Sequence, residues 1–187
     1  MKNLKLFIVL LLAGTLSASA QKSNINLSKS MVTWTGNKIG GSHQGGIKIK
    51  SGYLEFKNGH IVGGEVVMDM NSISNTDLTD EGYNQKLVGH LKSDDFFGVE
   101  KYPTSTFRVS KATQFINGKA TLSGVLTIKG KSENTMFDVT QKGNVYSAQL
   151  KVDRSKFDVR YGSNSFFDNL GDKAIDDIFL LDIQLVL

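Results

Sequence analysis

Apolar and polar residues alternate along most of the chain, in short runs rich in Val, Ile, Thr, Phe and Tyr that Gly and Asn interrupt. Patterning with a period of two predicts half-buried β-strands, because successive side chains of a strand point to opposite faces. Ser30 to Gly36 sets Val32 and Trp34 on one face, Ile47 and Ile49 continue the pattern, and Tyr53 to Phe56 leads into Asn58-Gly59 before Ile61 resumes it. Asn-Gly between two such runs predicts a hairpin, since both residues tolerate the positive φ of a tight turn. Asn117-Gly118 predicts another, joining a strand around Phe107 and Val109 to the run Ala120, Leu122, Gly124, Leu126, Ile128. Lys142-Gly143-Asn144 predicts a turn between Met136 to Val139 and Tyr146 to Val152. The last run carries Phe179, Leu181, Ile183, Leu185 and Leu187 on one face, with Leu180, Asp182 and Gln184 on the other.

Two stretches depart from this pattern. Between Asp80 and Leu91, Tyr83, Leu87 and Leu91 recur every four residues behind a possible N-cap at Thr79 or Asp80, which predicts a short amphipathic helix. A second short turn is expected over Ser165 to Leu170, stopped by Gly171. The expected fold class is all-β: an antiparallel meander of about eight or nine strands with one or two short helices. A closed barrel is favoured over a two-sheet sandwich, because closure removes unpaired strand edges. Glycines in or beside the runs, among them Gly36, Gly45, Gly63, Gly64 and Gly124, suit the bends of a strongly coiled sheet.

The N-terminus reads differently. Lys2 and Lys5, the apolar run Leu6 to Leu12 and the small-residue sequence Ala18-Ser19-Ala20 predict a signal peptide over 1–20, cut after Ala20, ahead of a barrel domain over 21–187. The apolar run is shorter than the ~20 residues a membrane helix needs, so a soluble periplasmic or secreted product is expected. The chain has no cysteine. That excludes disulfide staples, zinc–thiolate and iron–sulfur sites and a cysteine nucleophile, and leaves core burial to supply stability. The formal charge of +4 includes Lys2 and Lys5, and the remaining lysines are scattered singly. Nucleic-acid binding, which needs a clustered basic stripe, is not expected.

Motifs for catalysis or metal binding are weak. Gly124, Gly130, Lys131 and Ser132 approximate a phosphate loop, but with one residue too many between the glycines and a strand-like Leu126-Thr127-Ile128 inside. His43, His60 and His90 lack the spacing of a metal site, and no metal is expected. Asp94-Asp95 and Asp176-Asp177 read as turn or cap residues, since neighbours on an extended chain point apart. A hydrolase would have to assemble His90, Asp94 and Asp153 in space. A small outer-membrane barrel is a further alternative, with apolar residues outside and polar ones within.

What the chain does hold in quantity is long apolar side chains. An eight-stranded barrel either fills itself with such residues or encloses one small ligand. The run His90-Leu91-Lys92-Ser93-Asp94-Asp95-Phe96-Phe97, followed by Tyr102-Pro103-Thr104 and Phe107, resembles the signature of the YceI-like family of exported, polyisoprenoid-binding, lipocalin-like proteins. Ser30 to Trp34, the Gly-rich Gly40 to Gly46, Asp69 to Ile73, Gly124 with Leu126 to Gly130, Asp153-Arg154 with Phe157, and Ile175-Asp176-Asp177 agree in order. Departures are Val88-Gly89 where many relatives carry Arg-Asp, Lys29-Ser30 for His-Ser, and Ile47 in place of an aromatic.

The resemblance implies an eight-stranded antiparallel lipocalin-like barrel around an apolar tunnel for an isoprenoid of quinone or polyprenyl type, or another long-chain amphipathic lipid. It implies no catalytic residues and no required cofactor. A homodimer is left open. On this reading the lining is assigned to Met68, Met70, Phe96, Phe97, Phe107, Val109, Leu122, Leu126, Ile128, Phe137 and Val139. Phe96 and Phe97 cannot both point inward from an extended segment, so one of them is expected to cap an end of the barrel.

Overall fold

In the computed structural model, which describes residues 19–187, the chain forms a nine-stranded antiparallel sheet. The strands are β1 (Gln21–Asn24), β2 (Met31–Lys38), β3 (Gly41–Lys57), β4 (His60–Asp69), β5 (Thr104–Ala112), β6 (Lys119–Ile128), β7 (Lys131–Lys142), β8 (Val145–Asp153) and β9 (Ile175–Val186). Apart from Ser19 and Ala20, the segment read as a leader lies outside the described residues. Strands β2 to β9 close into an eight-stranded barrel, as the alternation predicts. The paired order β3-β2-β9-β8-β7-β6-β5-β4 returns to β3 through the β3–β4 ladder.

β3 makes closure possible by changing partners along its length. Residues Gly41 to Ile47 pair with β2, and Lys48 to Lys57 pair with β4, with a register shift between Ile49 and Ser51. β1, which the sequence reading does not anticipate, pairs with β3 from Gln21 opposite Phe56 to Asn24 opposite Tyr53. Its sequence QKSN carries no apolar alternation, so only the partner strand reveals it. The Asn-Gly turns form as expected: Asn58 and Gly59 have φ of 52° and 79°, the left-handed pair that a type I′ hairpin requires. The near-match to a phosphate loop is β6 running into a similar turn at Lys129-Gly130.

The Asn58-Gly59 and Asn117-Gly118 hairpins lie at one end of the barrel; the other end carries a helical cover, against which the Lys129-Gly130 turn packs, Lys129 Nζ donating to the Asp94 carbonyl at 3.0 Å. Helix α1 (Glu81–Lys92) starts where the Asp80 carboxylate accepts the Tyr83 N–H at 2.9 Å. Leu91 is buried in the main core and Leu87 packs against it, whereas Tyr83 on the same predicted face is 64% exposed. The helix therefore docks by its C-terminal half. The expected turn over Ser165 to Leu170 is displaced: the Ser163 carbonyl accepts N–H bonds from Phe166 and Phe167, and Gly171 opens a 3-10 turn (Gly171–Lys173) instead of ending one.

The segment before α1 lies across β2 and β3. The Trp34 indole N–H donates to the Ser74 carbonyl at 3.1 Å. A Cβ on Gly45 would stand 1.8 Å from that same oxygen, so the crossing admits no side chain there. One seam in the wall is short. β7 and β8 pair only from Val139 opposite Ala148 to Lys142 opposite Val145, while β8 continues its pairing with β9 as far as Asp153.

Candidate ligand cavity

Inward-pointing residues of the eight barrel strands surround an interior cavity of about 180 Å³, running from the hairpin end to the helical cover. Its wall is almost wholly apolar. All eleven residues assigned from the sequence lie on it, from Met68 and Met70 through Phe107, Val109, Leu122, Leu126, Ile128, Phe137 and Val139 to Phe96 and Phe97. The extended segment on which only one of the last two could face inward is instead a turn at the cover end of the barrel. Phe96 and Phe97 sit in a turn after α1, where the Ser93 carbonyl accepts the Phe96 N–H, and both rings meet the cavity, packed edge to face with centroids 5.0 Å apart.

Sequence reasoning missed the share of the wall given by the barrel's closing strands. β9 contributes Phe179, Leu181, Ile183 and Leu185, and β2 contributes Val32 and Trp34. Their alternation is plain in the sequence; choosing the inward face needed the β2–β9 pairing, Trp34 opposite Leu181. The outward face is predominantly polar, with Thr121, Ser147, Gln149, Lys151, Asp182 and Gln184 on it and Met31, Val62, Met136 and Ile178 as exposed apolar exceptions. This polarity is the reverse of an outer-membrane barrel's.

Beneath the cover lies Arg154, 2% exposed. Its guanidinium donates to the carbonyls of Val159 (2.9 Å), Tyr161 (2.8 Å), Ile175 (2.9 Å) and Asp176 (3.0 Å), and stands 3.4 Å from the Asp177 carboxylate. Burial pushes its pKa down, while Asp177, Asp153 and Asp176 oppose that shift. Arg154 thus ties the segment after β8 to the start of β9 through four carbonyl acceptors. Asp177 serves as its counter-ion and also accepts the Ser165 hydroxyl of the neighbouring turn at 2.6 Å. Among the lining residues Asp176 is exposed, which places a rim of the cavity at the start of β9.

The residues proposed for a hydrolytic site are not brought together. The His90 ring packs against Tyr161 (centroids 4.2 Å apart), Asp94 meets Lys101 at 3.3 Å, and Asp153 accepts from the backbone and hydroxyl of Ser155. No hydrogen bond joins any two of the three, and none lines the cavity. Among the described residues no group of three His, Cys, Asp or Glu side chains is placed to hold a metal ion. His43 instead pairs with Asp77 at 2.8 Å on the surface.

A family model for the YceI-like domain matches residues 23–187. The chain belongs to the YceI-like family. Among solved structures, Burkholderia cenocepacia BcnA is 26% identical with a TM-score of 0.68, the match covering 87% of this chain and 99% of that one. A polyisoprenoid-binding domain from Saccharophagus degradans, implicated in plant cell wall breakdown, is 14% identical with a TM-score of 0.60 over 89% of this chain and 97% of that one. The Campylobacter jejuni YCEI protein is 19% identical, TM-score 0.50, over 98% of this chain and 91% of that one. The last two bear on the fold alone. A search of curated proteins gave no match. The cavity is thus set in a YceI-like barrel whose motif residues Trp34, Phe96, Phe97, Phe107, Leu126 and Ile128 all face inward.

Proposed function

We infer that this YceI-like protein is an exported binding protein that takes an isoprenoid, or a similar long-chain amphipathic lipid, into the barrel. The observation that carries the reading is the apolar cavity. A dry space of ~150 Å³ lined by Leu, Ile and Phe binds benzene, and this one measures about 180 Å³. A ring-sized or isoprene-sized portion of a ligand fits the resting space. A longer tail enters as Met68 and Met70, unbranched and soft, turn aside. Each buried CH₂ contributes ~0.8 kcal/mol, so one isoprene unit supplies roughly 3 to 4 kcal/mol before ordering costs. The polyisoprenoid-binding description of the Saccharophagus degradans neighbour supports the ligand class, and the leader pattern over 1–20 supports export with cleavage after Ala20.

On this reading the role is binding: the cavity wall, almost wholly apolar, offers hydrocarbon contact to a lipid tail. The test is native mass spectrometry of protein purified from an exporting host, followed by solvent extraction. The expected result is a mature chain beginning at Gln21 with a co-purifying prenyl lipid recovered chemically unchanged. Protein that neither carries nor takes up any such lipid would overturn the reading.

A further inference from the structure

One lining side chain is out of keeping with the wall. Ser105 is 7% exposed, points inward from β5 directly opposite Met68, and lines the cavity. Its hydroxyl makes no hydrogen bond with any described residue, whereas the other deeply buried polar groups of the wall are bonded. The Tyr146 hydroxyl accepts from Gln141, and Arg154 is held by four carbonyls. The hydroxyl is not sealed off, since the wholly buried side-chain oxygen without a partner among the described residues is Asp177 Oδ1; facing the cavity with no protein partner, the Ser105 hydroxyl keeps its hydrogen-bonding capacity for a ligand. We propose that Ser105 is the anchor for the polar end of the ligand, donating its hydroxyl proton to a neutral oxygen, a carbonyl or an alcohol, on an isoprenoid whose tail fills the rest of the barrel.

This rests on the lipid-binding reading and narrows it. A charged head would be left unpaired, because the wall's one cation, Arg154, already directs its N–H groups at backbone carbonyls and faces Asp177. A neutral oxygen needs one donor, which Ser105 supplies. The site then selects oxygenated neutral isoprenoids over both hydrocarbons and prenyl phosphates.

The experiment titrates delipidated wild-type, Ser105→Ala and Ser105→Thr proteins with four probes: geranylgeraniol, a naphthoquinone bearing the same tail, the corresponding oxygen-free hydrocarbon and geranylgeranyl diphosphate. The wild type should bind the alcohol or the quinone most tightly; which of the two leads identifies the oxygen. Ser105→Ala should weaken that probe about three- to tenfold and leave the hydrocarbon unchanged, and Ser105→Thr should restore binding. Removing an unpartnered hydroxyl should leave the ligand-free melting temperature of Ser105→Ala equal to or above that of the wild type, which separates loss of an anchor from loss of fold. Equal weakening for alcohol, quinone and hydrocarbon, or none for any, would overturn the anchor while leaving lipid binding intact. Tightest binding of the diphosphate would overturn the neutral head group. Failure of the wild type to bind any probe would instead overturn the function proposed above.

Discussion

Asp77 shows how one exposed residue can fix a crossing of the chain. Desolvation pushes its pKa up, but the Gln44 N–H, His43 and Asn75 outweigh it and hold the carboxyl at about 2, below its ordinary 3.8. Because the folded-state value is the lower one, the stabilisation is complete above the unfolded value and is lost as pH falls through about 2. Asp77→Ala should therefore melt below the wild type at neutral pH, with the gap closing between pH 3.8 and about 2. A gap unchanged by acid would contradict the bonding described. Arg154 acts in the interior. Arg154→Met leaves Asp177 without its counter-ion and four carbonyls without a donor, and should cost about 3–5 kcal/mol in denaturant unfolding. A loss under about 1 kcal/mol would mean that the staple is redundant. Neither role is legible in the sequence, where Asp77 is a loop acid and Arg154 follows a strand. Asp77 meets His43 and Gln44, and Arg154 meets Ile175 and Asp176, across segments distant in the chain, and no local pattern encodes that meeting.

At the scale of elements, the seam between β7 and β8 is the exception in an otherwise continuous wall. Amides of β7 that face β8 within Lys131 to Asp138 lack the cross-strand carbonyls that Val139 to Lys142 possess. Hydrogen exchange should be faster in the first group than in the second, and equal protection along β7 would contradict the seam. The hairpins show why part of this architecture can be read directly. Asn58-Gly59 and Asn117-Gly118 encode positive φ locally, so turn and strand limits follow from two residues. α1 is legible for the same reason, through the Asp80 cap and the four-residue spacing of Leu87 and Leu91. β1 is not, because four polar residues become a strand only when β3 offers a free edge. The 3-10 turn at Gly171–Lys173 buries none of its residues and has no side-chain cap, so neither an apolar position nor a capping residue marks it in the sequence.

For the whole molecule, alternation and closure together decide what the interior is. Period-two patterning identifies two faces of each strand, and pairing β2 with β9 turns one face of every strand toward a common axis. The part of the wall given by β5, β6 and β7 was legible because those strands are strongly amphipathic. The closing strands were missed because only the ring defines their inner side. Ala148, a small residue on the wall between Val139 and Ile183, offers a direct way to fill the space. In Ala148→Phe the ring should occupy the cavity while the outward face is unchanged. The most direct measurement of the central claim is titration of a fluorescent isoprenoid into delipidated wild-type and Ala148→Phe proteins, with both shown to be folded by circular dichroism. Saturable one-to-one binding by the wild type and at least tenfold weaker binding by the filled variant is the expected result. Equal affinity for the two would place the lipid outside the barrel and contradict the account.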